Sequence, residues 1–133
     1  MKNPEKTAIV LFAHGARDAR WAQPLAQLKR ELTRWQPQLR IEVAFLELQA
    51  PALPETMAGL AADGIVRIHV APVFWSMGGH SARDLPALIG AFGAQHPGIR
   101  VEVLPVLAEL PGMNDFLART MLALSGFGPP ERP

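Results

Sequence analysis

Apolar residues along this chain fall into two alternating kinds of run. Some are short, continuous and rich in β-branched residues; others are longer and repeat every three or four positions. Thr7 to Ala13 is the first short run, apolar throughout after Thr7, as a strand buried on both faces requires. Trp21, Leu25, Leu28, Leu32 and Trp35 then recur at helical spacing and predict one apolar helix stripe. Pro24 fits only the first turn of that helix, and Pro37 closes its far end. Arg40 to Leu46 reads as a second strand. Met57, Leu60 and Ala61 mark a short helix that starts near Pro54 and stops at Asp63-Gly64.

Ile65 to Val73 reads as a third strand, and a loop containing Gly78 and Gly79 follows it. A helix through Leu85, Leu88, Ile89 and Phe92 then ends at His96-Pro97-Gly98. Ile99 to Leu104 is the fourth strand. Met113, Phe116, Leu117, Met121 and Leu124 form the face of a last helix, and Gly126 to Pro133 is expected as a loose tail. Strand then helix, four times over, predicts a single α/β domain across residues 1–125. Its four parallel strands form a doubly wound sheet, with right-handed crossovers that place helices on both faces.

Composition narrows the chemistry. Thirteen basic against twelve acidic residues give a net charge of +1, which lacks the basic excess of a nucleic-acid binder. Hydrophobic residues at 49% argue against disorder. No cysteine is present, so disulfides, thiolate metal sites and cysteine nucleophiles are all excluded. Lys2 and Lys6 precede an apolar run too short for a secretory signal, and no segment is long enough to span a membrane. A cytoplasmic protein is the expectation.

In an open parallel sheet, ligands bind beyond the carboxyl ends of the strands, where strand order reverses. Three segments lie there: His14-Gly15-Ala16-Arg17-Asp18 after the first strand, Glu47 after the second, and Ser76 to Ser81, with His80, after the third. Each has an ordinary reading too. His14 would serve as a helix-entry residue with Asp18 as cap, and Glu47 as a solvated strand-end carboxylate. His80 sits in a loop that its glycines make costly to order. Together, two imidazoles and a carboxylate form a donor set suited to a divalent metal. His69, inside the third strand, reads as a core residue, and His96 as surface. Trp75-Ser76-Met77-Gly78 resembles part of a nucleophile elbow with Ser76 as nucleophile, but Phe74 stands where a small residue is needed. Gly78-Gly79 as a phosphate cradle lacks both a lysine and the required glycine spacing.

Ala13-His14-Gly15-Ala16-Arg17-Asp18, Phe45-Leu46-Glu47, and Pro72-Val73-Phe74 through Gly79-His80 to Asp84-Leu85-Pro86 together resemble the small single-domain sirohydrochlorin chelatases. The resemblance runs in order from the first strand to the last helix. Ala16 departs from it, since the family often has Ser there, and this removes a hydroxyl but no metal ligand. The resemblance implies a flavodoxin-like half-domain that pairs as a homodimer. It also implies ATP-independent insertion of a divalent metal into a metal-free tetrapyrrole, in cobalamin or siroheme biosynthesis. Co²⁺ is favoured as the metal substrate, with Fe²⁺ close behind and Ni²⁺ possible; no organic cofactor is expected. Carried over by motif, His14 and His80 would bind metal and act in catalysis, with Glu47 assisting.

Arg17, Arg20 and Arg83 flank the histidine motifs and would meet substrate carboxylates, or else remain solvated helix-start arginines. Phe74, Trp75, Met77, Gly78 and Gly79 would offer the ring an apolar surface, or else serve as core or subunit contact. The apolar composition of so small a chain favours a dimer independently. The alternative from another class is a carrier that uses the same histidines without turnover.

Overall fold

The computed structural model describes residues 3–128, with His80 described by its backbone. Strands β1 (Thr7–Ala13), β2 (Arg40–Phe45), β3 (Arg67–Pro72) and β4 (Arg100–Val103) form one parallel sheet in the order β2-β1-β3-β4. Helices α1 (Gln23–Trp35), α2 (Leu53–Ala62), α3 (Gly79–Gln95) and α4 (Met113–Leu124) follow them in turn. Register is set by β1 at the centre, where Ala8 lies between Arg40 of β2 and Ile68 of β3.

The alternation of side chains along the strands divides the core into two layers. Ala8, Val10 and Phe12 join Ala44, Ile68 and Val70 on one face, under Leu53, Met57 and Leu60 of α2 and Leu85 and Phe92 of α3. On the other face Leu11, Ile41 and Phe45 pack against Leu25 and Leu32 of α1. Every residue of β1 after Thr7 therefore has a hydrophobic layer to enter, which is why its apolar run is unbroken. Each fully buried large side chain contributes about 1.5–3 kcal/mol.

Several details differ from the sequence expectation. β3 is shorter than Ile65 to Val73, and β4 shorter than Ile99 to Leu104. Gly79 and His80 are not in a loop: they form the first turn of α3, with Gly78 as its N-cap. The Trp21-to-Trp35 stripe fails at its ends, for Trp21 is 73% exposed and Trp35 is exposed as well. Trp21 belongs to a separate 3-10 turn, Ala19–Ala22, whose tighter winding takes it off the α1 stripe. Trp35 lies outside, with its indole N–H on Glu31 and the Arg34 guanidinium over its ring. The expected inner face of α4 is open too, with Phe116, Met121 and Leu124 all exposed. His96 is more than a surface residue, since its ring stacks on Phe92 at 4.3 Å. The segment 126–133 is described as far as Gly128, where the Phe127 N–H returns to the Leu122 carbonyl; residues 129–133 lie outside the described residues. Among the described residues, no helix is long and apolar enough to cross a membrane.

Candidate metal and macrocycle site

The order β2-β1-β3-β4 reverses at β1, so the loops after β1 and β3 leave the sheet side by side. The loop after β1 is tied to the loop after β2 by backbone bonds. The Leu46 N–H donates to the Ala13 carbonyl at 2.9 Å, and the Glu47 N–H to the His14 carbonyl at 3.0 Å. Gly15 is required at this crossing. Its φ is +99°, and a Cβ there would stand 1.9 Å from the Glu47 carbonyl oxygen. The glycine that follows His14 thus allows the Glu47 segment to lie directly against it.

Beyond Glu47 the chain folds tightly. Leu48 has φ +67°, and the Gln49 N–H reaches back to the Glu47 carbonyl at 2.8 Å, as in a γ-turn. The turn brings the Gln49 side chain back over the first loop, where its Oε1 accepts the Ala16 N–H at 2.8 Å. This bond anchors the backbone of Ala16. It acts through the backbone, so it needs no hydroxyl.

The result is a side-chain pair. His14 Nε2 lies 3.3 Å from Glu47 Oε1, with both side chains about half exposed. Nδ1 of His14 makes only a long 3.4 Å contact with the Gly15 carbonyl. Two donors each about 2.1 Å from a common ion, at roughly 90–110° to one another, stand about 3.0–3.4 Å apart. The pair is therefore spaced as two adjacent ligands of one ion would be. Among the described residues, no three His, Asp or Glu side chains converge. The third expected donor, His80, is carried by the second residue of α3, the helix entered from β3.

Beside His14 opens a cleft of about 620 Å³. Its walls are mostly apolar, with Trp21, Pro24 and Leu28 from the α1 side and Phe45, Phe74 and Leu107 from the strand ends and the segments that follow them. Phe74 is held edge-to-face against buried Phe12 at 5.7 Å. Leu107 is fixed by its N–H to the Phe74 carbonyl at 2.9 Å. Of the side chains expected to meet the ring, Phe74 lines this cleft. Trp75, Met77, Gly78 and Gly79 do not: Trp75 is exposed, and Met77 packs on the α2–α3 layer. A Cβ added at Gly78 or Gly79 would meet nothing within 4 Å, so no close approach demands glycine at either position.

The three arginines differ in their engagements. Arg20 is clasped to Asp18: its backbone N–H and Nε both reach Asp18 Oδ1, and its terminal nitrogen lies 2.7 Å from Oδ2. The guanidinium, and then the Arg20 N–H, hold the Asp18 carboxyl below the usual carboxylate range. The same pairing raises the Arg20 guanidinium above its ordinary value. Arg83 turns its Nε onto the Gly79 carbonyl of its own helix at 3.2 Å. Arg17 is exposed. Ser76 is not at an elbow: it is exposed at the end of a bend, and Met77 and Gly78 separate it from α3.

Sequence reasoning missed Trp21, Gln49 and Leu107 as parts of this region. The signal for Trp21 was available: Asp18 three residues before it and Pro24 three after it leave room only for a separate capped turn.

A sirohydrochlorin cobaltochelatase of Saccharolobus islandicus strain L.S.2.15 is 27% identical over 118 residues, covering 86% of this chain and 89% of that protein. A CbiX protein of Marinobacter aquaeolei VT8, solved by crystallography, superposes with a TM-score of 0.75 at 25% identity, over 90% of this chain and 96% of its own. The sirohydrochlorin chelatase SirB from Bacillus subtilis subspecies spizizenii, solved in complex with cobalt, gives a TM-score of 0.66 at 27% identity. That match covers 75% of this chain and 43% of SirB. The CbiX family model matches residues 8–123, from the second residue of β1 almost to the end of α4, and the chain belongs to the CbiX family.

Proposed function

We propose that this chain is a chelatase that inserts a divalent metal ion into the metal-free tetrapyrrole sirohydrochlorin, without ATP or an organic cofactor. The observation that carries the reading is the His14–Glu47 pair, at 3.3 Å, beside an apolar cleft at the switch point of the sheet. Family membership and the sirohydrochlorin cobaltochelatase relatives support the same reaction, and their names favour Co²⁺ over Fe²⁺.

The reaction exchanges one divalent ion for two pyrrole N–H protons. The ion must first be held and partly dehydrated, then released to four ring nitrogens. In this reading His14 and His80 hold it through neutral imidazole, which binds Co²⁺ or Fe²⁺ yet exchanges readily. Thiolates would retain the ion, and the chain has no cysteine. As the ion moves to the ring, the freed imidazole accepts a pyrrole proton, and Glu47 balances the imidazolium at His14. The other proton leaves by His80 or to water. The cleft walls supply a dry surface for the ring, and Arg17, exposed three residues after His14, would meet its carboxylates. Arg20 and Arg83 would join only by leaving their present partners.

The working form in this reading is a homodimer. A macrocycle has two faces and one cleft covers one of them. The open apolar face of α4, with Phe116, Met121 and Leu124, is the kind of surface that a second copy covers. Stoichiometry tests the activity: purified protein, metal-free sirohydrochlorin and Co²⁺ should yield many metallated rings per chain, followed by absorbance. A carrier with the same site would stop near one.

A further inference from the structure

Trp21 combines features that an ordinary core residue does not. It is 73% exposed, yet it forms part of the cleft that His14 also lines. Its backbone is held firmly: the Trp21 N–H donates to the Asp18 carbonyl at 3.1 Å, and the 3-10 turn carrying it is capped by the Asp18 side chain. Asp18 is itself fixed by the bidentate Arg20 guanidinium. A large aromatic side chain on a braced turn, left open beside a metal-donor pair, is placed for a flat ligand.

We propose that Trp21 is a specificity-determining residue, the wall against which one face of the tetrapyrrole lies, and that the Asp18–Arg20 clasp positions it. The inference rests on the chelatase reading and adds a residue and a role to it. Chemistry supports the match. A conjugated macrocycle presents a broad π-face, and indole is the largest aromatic side chain able to stack on one. Its carboxylates lie at the ring edge, while Pro24 and Leu28 line the same cleft as the indole and keep its surroundings apolar. Arg20 thus acts through Asp18 to hold the wall, its guanidinium engaged by that carboxylate.

The test measures kcat and KM for insertion into sirohydrochlorin, and the Kd of metal-free sirohydrochlorin, for wild type, Trp21→Ala, Trp21→Phe and Asp18→Asn. Circular dichroism and light scattering accompany each variant. Trp21→Ala should raise KM and Kd roughly tenfold with kcat held within about threefold, and Trp21→Phe should recover most of the loss. Asp18→Asn should raise KM by a smaller factor and shift the Trp21 indole resonance. Unchanged Kd in Trp21→Ala overturns the proposal, as does a loss confined to kcat. A fall in mass of Trp21→Ala with Kd retained overturns it as well, by making Trp21 a subunit contact. Wild type that fails to bind sirohydrochlorin at all sinks the chelatase reading instead.

Discussion

At the scale of single residues, Gly15 is the most constrained position in the site. A Cβ there meets the Glu47 carbonyl oxygen at 1.9 Å, and φ +99° disfavours any side chain. Gly15→Ala should cost more than about 2 kcal/mol in denaturant unfolding, or fold with His14 displaced and insertion lost. Ordinary stability with full activity would show that the two loops do not interlock. Asp18 makes a prediction about pH. Its carboxyl is held below the ordinary 3.8 by Arg20, so the clasp is fully present above that value and is lost only as pH falls through the lower, folded value. The environment of Trp21 should therefore stay constant from pH 8 to 5 and change only in stronger acid, as read from its indole resonance. Insertion should also weaken on acidification, because imidazole binds metal only when neutral. The two profiles together separate loss of the wall from loss of the metal donors.

At the scale of elements, the loop after β2 does most to assemble the site. Gln49 accepts the Ala16 N–H from that loop, and Gln49→Ala should cost about 1 kcal/mol and slow insertion, whereas Gln49→Glu keeps the acceptor and should lose less. Equal losses in both would argue against the bond as the cause. The elements themselves were legible in the sequence, because β1 must feed two apolar layers and α1 only one. Periodicity gave β1 as Thr7–Ala13 and found all four α-helices, though none of the 3-10 turns. It did not reveal that Trp21 leaves the stripe, because three- and four-residue spacing is blind to a change from α to 3-10 winding. It also put His80 in a loop, since two glycines usually break a helix; here Gly78 caps α3 and Gly79 begins it. The juxtaposition of His14 and Glu47 followed from the rule for strand ends, but the γ-turn at Leu48 and the reach of Gln49 carry no short sequence signature.

At the scale of the whole molecule, three helices close the two layers of the sheet, while no residue of α4 is buried. Light scattering should give a mass near twice 14.5 kDa at micromolar concentration, and Phe116→Glu should lower it. A wild-type mass of 14.5 kDa would rule out the dimer while leaving the site chemistry intact. The central claim is that the histidines hold the metal on its way into the ring, and steady-state insertion of Co²⁺ into sirohydrochlorin by wild type, His14→Ala, His80→Ala and Glu47→Ala tests it most directly. The account predicts many turnovers for wild type, near-complete loss in each histidine variant with the fold retained, and a smaller loss in Glu47→Ala. Wild-type rates in both histidine variants would contradict it.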